Sequence, residues 1–454
     1  MLKIIVALAW PTVLEGVLQT FVSYVDSAMV GRIGPAATAI VGMSTPVTWL
    51  INSIMIAAGV GFMAYIARAN GAGNSEKVRK ASAQAVTVAL ILGTVMEILT
   101  LGISPFLPGW MGLEKNLRHR ATLYFAATCL PMLFRSVMLN LGAVLRADGD
   151  TKTPLKVNLI MNIVNVVMNV IFIYPARQVH LLGRSVRLWG MGYGAVGAGI
   201  GTGVAYIVGG CLMWRVVMHS KTLSPKGESF RPDGEILRPV FKVGLPVAME
   251  SLITCVGHVV FSAMVTRLGT VAFAAHTIAL TAEQAFYIPG YGMQAAAATL
   301  SGNMLGAEDE AGMQNLTKTF IRLIVIVMAL SGGLLFVLAP QVMHIFTKDP
   351  DVIKLGTNVL RLVSVSEPVF GMAIILEGLF SGVGDTLMPF VYAAISMWGV
   401  RIFGTYLCIN IWDLGLNAVW LCMIANNVSK GILLGTRYKS GKWNPLLQKK
   451  LSQS

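Results

Sequence analysis

Residues 24–34 read YVDSAMVGRIG, and residues 261–269 read FSAMVTRLG. The second stretch repeats Ser, Ala, Met, Val, Arg and Gly of the first at a constant offset of 235 positions, but Phe261 replaces Asp26. The same offset superposes Pro11 on Pro246, Glu15 on Glu250 and Arg32 on Arg267. It also maps Gly71-Ala72 on Gly306-Ala307, and the GDT-x-x-P that starts at Gly149 on the one that starts at Gly384. Agreement at a single shift in separated places makes the chain an internal duplication. The frame is repeated, and the acid is not.

The duplicated unit is a membrane bundle. Of the 454 residues 55% are hydrophobic and 12% charged, where a soluble chain is about one quarter charged. Mean hydropathy is +0.69. Apolar runs long enough to cross a roughly 30 Å hydrocarbon core recur throughout. They predict twelve spans near residues 4–31, 38–66, 81–106, 120–146, 154–174, 190–217, 239–265, 271–301, 317–345, 356–383, 389–409 and 415–436. The first run has no small-residue cleavage site and carries Glu15 and Asp26, so it reads as a retained span.

Six spans per copy is an even number, so both copies enter the bilayer in the same direction. The expected fold is an all-α polytopic membrane protein: twelve transmembrane helices in two six-helix lobes related by a pseudo-two-fold axis along the membrane normal. The lobes are residues 1–218 and 239–454, joined by a polar linker over 219–238. Basic residues such as Arg68, Lys77, Lys430, Arg437 and Lys439 fall at one set of span ends. They outnumber those at the other set, such as Arg32, Lys115 and Arg177, by roughly two to one. That bias puts both termini in the cytoplasm and the chain in the cell membrane. It also accounts for the net charge of +14 without nucleic acid as a partner. The five cysteines lie inside apolar runs without metal spacing and read as packing residues. No soluble catalytic domain or ATP-binding loop is legible, which argues against an enzyme or an ATP-driven pump.

Seven acids fall within the spans: Glu15, Asp26, Glu97, Glu250, Glu283, Glu367 and Glu377. A charge at mid-bilayer costs at least about 2.5–3.5 kcal/mol, so such groups face a cavity, a partner or a proton pathway. Glu15, Gln19 and Asp26 share one face of the first helix. In the fifth span Asn158, Asn162, Asn165 and Asn169 follow steps of four, three and four, which line up four amides. Such a stripe either hydrogen-bonds to neighbouring helices or lines a cavity, and the two are compatible. Asn165 and Asn169 approach the depth of Asp26, where Thr202 of the sixth span offers a hydroxyl. Together they form an oxygen-rich site for a proton or a small hard cation. Glu97 and Glu377 lie near span ends and are expected to reach headgroups or water. Arg401 is expected to pair with an acid or with backbone carbonyls.

Other motifs weigh less. GYGAVG from Gly192 matches G-x-G-x-x-G, but no strand is predicted before it. Gly197 and Gly201, four apart, read instead as close helix packing. His258 and His276 read as hydrogen-bonded packing residues and not as metal ligands.

Taken together, WPTVLEGVLQTFVSYVDSAMVGRIG, VLRADGDTKTP, NIVNVVMNVIFIY, GAVGAGIGTG, LFSGVGDT, RYKSGKW and the long run from Ala274 to Ala307 resemble the multidrug and toxic compound extrusion (MATE) transporters over nearly the whole chain. The resemblance implies two six-helix lobes, and export of amphipathic, often cationic compounds by a monomer in exchange for inward H+ or Na+, with no other cofactor. In one branch of that family a cation site uses a first-span Asp, an N-x-x-x-D of the fifth span and a sixth-span Thr. The matching positions are Asp26, Asn165, Asn169 and Thr202. Asn169 departs from the pattern, because the second acid has become an amide, and the site should hold Na+ less strongly. Pro11 matches the first-span proline whose bending the family is thought to use. Glu15, Gln19, Asn162, Glu250, Glu283 and Glu367 are the expected substrate or pathway residues. A lipid-linked precursor flippase of similar fold would call for a more basic central cavity. A non-transporting membrane scaffold would leave the seven acids unexplained.

Overall fold

The structure, a computed structural model, describes the backbone of residues 1–181 and 184–451 and the side chains of residues 1–176 and 189–449. The side chain of Arg177, used above for sidedness, lies outside that set.

The first half contains α1 (Leu2–Gly31), α2 (Pro35–Gly71), α3 (Ser75–Ile103), the short α4 (Leu107–Trp110), α5 (Lys115–Cys129), α6 (Met132–Ala147) and α7 (Lys152–Ile173). An antiparallel hairpin, β1 (Pro175–Leu181) and β2 (Arg184–Met191), precedes α8 (Ala195–Met218). The second half contains α9 (Gly234–Val265), α10 (Thr270–Gly306), α11 (Glu310–Phe346), α12 (Pro350–Ser364), α13 (Glu367–Val383), α14 (Leu387–Ala394), α15 (Phe403–Asn410), α16 (Leu416–Lys439) and α17 (Pro445–Leu451). A π-helical segment, Ile395–Ile402, makes α14 and α15 one continuous span.

Helix boundaries keep the repeat to the residue. The starts of α2, α3, α5, α6 and α7 reappear 235 positions later as the starts of α10, α11, α12, α13 and α14. α8 and α16 are each 24 residues long, but their offset is shortened because the hairpin stands only in the first half. Gly149 and Gly384 hold φ of +87° and +89°. This left-handed turn is open to glycine at little cost, and it explains why both GDT motifs begin with one. In the first motif Asp150 then accepts the Thr153 amide at 3.0 Å, capping α7. In the second, Asp385 instead pairs with both Nε and Nη2 of Arg437.

Among the described residues nine helices are long and apolar enough to cross a membrane, and two bent pairs raise the number to eleven. α10, with 37 residues and the repeat partner of α2, completes the twelve. The bent pairs are the fourth and tenth spans. α5 and α6 meet at 41°, and α12 and α13 at 54°. Pro131 at the N-cap of α6, and Pro368 in the first turn of α13, are the residues at which the chain cannot continue its helical bonding. The sixth span also starts later than expected, at Ala195, because residues up to Met191 belong to β2.

The compact units cut across the sequence halves. One comprises Met1–Gly16, Met63–Asn74 and Arg238–Ser454; the other comprises Val17–Phe62 and Ser75–Leu237. The reason is the packing at one end of α1 and α2. A Cβ on Gly71 would strike the backbone of Asn303, and one on Gly306 would strike the carbonyl of Arg68. Since Arg68 and Asn303 are themselves repeat partners, this contact is reciprocal in the way a two-fold contact is. Within the same unit the Thr12 hydroxyl bonds the carbonyls of Ala9 at 2.8 Å and Gly292 at 2.7 Å. Ile5 and Ala9 complete a buried cluster with Met293, Phe320, Ile375 and Phe380. In the other unit Val30, Ile40, Met55, Phe125, Met132 and Ile173 form the core beneath the C-terminal end of α1.

Candidate functional site

Three elements bring the expected polar residues together. Asp26 stands five residues before the end of α1, Asn165 and Asn169 one turn apart on α7, and Thr202 on α8. Asn169 Nδ2 donates to Asp26 Oδ1 at 2.7 Å and to Asn165 Oδ1 at 3.2 Å. Asn165 Nδ2 in turn donates to Thr202 Oγ1 at 3.3 Å. Asn169 is fully buried, Asn165 nearly so, and Asp26 partly.

The close approach of α7 and α8 is written in glycine. A Cβ on Gly197 would collide with the Phe172 carbonyl, and one on Gly201 with Asn169 Oδ1. Gly201 therefore gives Asn169 the room to reach α1, and the expected packing role of both glycines holds. The premise that no strand precedes GYGAVG does not hold, because β2 ends one residue before it. Gly192 and Gly194, at φ of +71° and +58°, turn that strand into α8. A two-stranded hairpin is still not the βαβ unit that a dinucleotide needs. The C-terminal end of α1 is held further by the Tyr174 hydroxyl, which donates to the Met29 carbonyl at 2.9 Å. The sequence reading missed Tyr124 of α5, which lies near enough to Asp26 to sense its charge. It sits in no motif, and only the fold places it there.

Comparison with known proteins is decisive at this point. Residues 11–171 and 246–407 each match the MatE family, two stretches whose starts lie 235 positions apart. The chain belongs to the MATE family. A relative in Thermotoga maritima described as "Probable multidrug resistance protein NorM" is 26% identical over 441 residues, 97% of this chain and 93% of that protein. A MATE protein crystallised in complex with MaD3S superposes with a TM-score of 0.89 at 22% identity, covering 98% of this chain and 97% of that one. An outward-facing multidrug resistance MATE transporter of the MOP superfamily gives 0.88 at 22%, covering 97% and 96%. The protein is accordingly a multi-pass membrane transporter with the MATE fold.

The remaining expected residues of this MATE protein fall elsewhere. Gln19 is exposed and is not drawn to the Asp26 cluster, and Glu15 belongs to the other compact unit. Pro11 is buried inside α1, beside the Thr12 anchor. Asn162 is buried on the α7 stripe, while Asn158 turns back to the Pro154 carbonyl of its own helix at 3.1 Å.

Glu97 is partly buried. Its carboxylate accepts the Leu133 amide at 3.2 Å, at the bend where α6 begins. This is a helix N-terminus, where an acid is favoured. At the corresponding bend of the second half the acid comes from the other helix. Gly332 replaces Glu97, and Glu367 opens α13 where Met132 opens α6. A Cβ on Gly332 would press on the Ser364 carbonyl and on Glu367 itself. Glu367 is 1% exposed, and its carboxylate oxygens have no hydrogen-bond partner among the described residues. Glu283, also buried on α10, lies within electrostatic reach of Glu367 and Arg401.

Two further expectations are corrected. Arg401 is paired with no acid among the described residues; the π-helical segment carries it over the Phe261 ring, 4.0 Å from the centroid. His276 makes no hydrogen bond among the described residues, and packs edge-on between Phe261 and Trp420. Glu250 lies 3.0 Å from Lys430 Nζ, and the same ammonium pairs with Glu377. Glu377 and Lys430, which the sequence reading placed at span ends, are thus paired with each other and 14% and 20% exposed. The signal was available: Lys430 lies inside the last apolar run, nine residues before α16 ends.

Proposed function

We propose that this protein is a multidrug exporter, a secondary antiporter that moves amphipathic, often cationic compounds out of the cell in exchange for inward H+ or Na+. The observation that carries the reading is the hydrogen-bonded chain from Asp26 through Asn169 and Asn165 to Thr202. Its only formal charge is one carboxylate, held against a neutral amide. Such a group can take up a proton or a cation, but not both, and this competition is what exchange requires.

The same carboxylate is a mechanical link. When ionised, Asp26 accepts a charge-assisted bond from Asn169 that ties α1 to α7, worth about 1.5–3 kcal/mol. Protonation removes the charge from that bond and weakens the tie. An occupant moves a conformational equilibrium only through its different affinity for the two states, and a tie that depends on occupancy provides that difference. Pro11 on the same helix removes one backbone bond and supplies a place to bend.

All the ligating atoms available to a cation here are oxygens, which suits H+ and Na+ alike. What supports H+ over Na+ is Asn169. Its amide NH2 already sits between Asp26 Oδ1 and Asn165 Oδ1, the oxygens that a bridging Na+ would have to join. The name of the Thermotoga relative supports drug-like cargo, and the basic bias of the span ends supports cytoplasmic termini in the cell membrane. We assign it no cofactor beyond the coupling ion and treat it as a monomer. Reconstitution into proteoliposomes, with pH and Na+ gradients imposed separately, tests the proposal. Transport of a fluorescent organic cation should follow the pH gradient; transport that responds to neither gradient would refute ion coupling.

A further inference from the structure

The second half of the molecule carries an ion triad without a counterpart among the described residues of the first half. Lys430 Nζ lies 3.0 Å from Glu250 Oε1 and pairs also with Glu377. The three side chains come from α16, α9 and α13, all in one compact unit, and are 20%, 19% and 14% exposed. Lys430 stands about 14 Å from the end of its helix at 1.5 Å per residue, well within the apolar run. Glu250 is the repeat partner of Glu15, but the other two members have no charged counterpart. Gly142 stands where Glu377 does, and Gly209 aligns with Lys430 when α8 and α16 are superposed along their equal lengths. An added acid and an added lysine thus meet around one carboxylate.

The arrangement is that of a cation held by two carboxylates, with a side chain as the cation. We propose that Glu250 and Glu377 form a site for a monovalent cation, and that Lys430 is its tethered occupant, which keeps small free cations out of this half. An ammonium fixed on its own helix acts at an effective concentration that a millimolar free ion cannot match. Two carboxylates left without it would be costly at this depth and would recruit a substitute. Where the first half has Asp26, the second has Phe261 beneath the Arg401 guanidinium. The Glu250–Glu377 pair is then closed to exchange while Lys430 occupies it. This inference does not depend on ion-coupled transport, because it concerns occupancy alone.

The test is thermal melting of the purified full-length protein in detergent, titrated with methylammonium, Na+ or K+ chloride, with choline chloride holding ionic strength constant. Wild type should show no response specific to any of the three ions. Lys430→Ala should melt lower and be stabilised by methylammonium or Na+ in a saturable way, with a rise of about 2 °C or more. That rise should vanish in Lys430→Ala/Glu250→Gln/Glu377→Gln, which leaves no carboxylate to bind. If Lys430→Ala does not accumulate, Lys430→Ala/Glu377→Gln carries the test, since it keeps the net charge of the wild-type triad. It should still gain a saturable cation response. A wild type stabilised as strongly as the variant, or variants that respond to no cation, would overturn the proposal.

Discussion

Asn169→Asp restores a second acid to the Asp26 site, and the structure sets the size of the effect. Asn169 Nδ2 lies 2.7 Å from Asp26 Oδ1, so the new carboxylate would face Asp26 across the space a single ion can fill. At an effective dielectric of about 20, a unit charge about 4 Å from a second carboxylate gains about 4 kcal/mol from it. Desolvation of the added charge takes back part of this, leaving about 1–3 kcal/mol, or about tenfold to a hundredfold in cation affinity. The substitution also removes the NH2 that now bridges Asp26 and Asn165. Asn169→Asp should therefore bind Na+ more tightly than the wild type. Isothermal titration of Na+ into the purified protein at constant ionic strength reads this directly, and Na+-driven uptake in proteoliposomes reads its consequence. A variant that is folded, retains transport and has unchanged Na+ affinity would refute the placement of Asn169 at the cation position.

Gly201→Ala puts a methyl where Asn169 Oδ1 lies; it should cost about 1–3 kcal/mol of stability and reduce gradient-driven transport, measured per folded molecule in membranes. Thr12→Val removes bonds to Ala9 and Gly292. It should lower stability by about 1–2 kcal/mol, seen as a lower Tm with ion binding unchanged. Glu97→Gln removes the charge beside the Leu133 amide at the α5–α6 bend. It should cost about 0.5–1.5 kcal/mol in the same melting assay and leave the coupling ratio intact.

The duplication was legible because it is a pattern along the chain: one offset, read at YVDSAMVGRIG, recurs between five helix starts of the first half and five of the second. The Asp26 cluster was legible because an acid in an apolar run, and amides at helical spacing, are each unusual at the level of a single helix. What stayed hidden depends on which helix lies beside which. Lys430 read as a flanking basic residue until α9 and α13 brought Glu250 and Glu377 to it. Glu97 read as a surface acid until the bend at Leu133 gave it an amide, and the sequence placed no bend there although Pro131 marked it. The strand before GYGAVG was missed because a short hairpin between two strong helical runs has no periodicity long enough to register. The partners of Gly71 and Gly306 were hidden for a similar reason, since a glycine announces a close approach but not what approaches.

The central claim is that occupancy of the Asp26 carboxylate drives transport. Phe261 at the equivalent place of the repeat shows that the helical frame needs no acid there. The most direct measurement is gradient-driven transport of a fluorescent cation by Asp26→Asn in proteoliposomes, normalised to folded protein, with substrate binding measured separately. The account predicts correct insertion, retained binding and loss of gradient-driven transport, because an amide at 26 cannot exchange a proton or a cation. Wild-type transport rates from Asp26→Asn under the same gradient would contradict it.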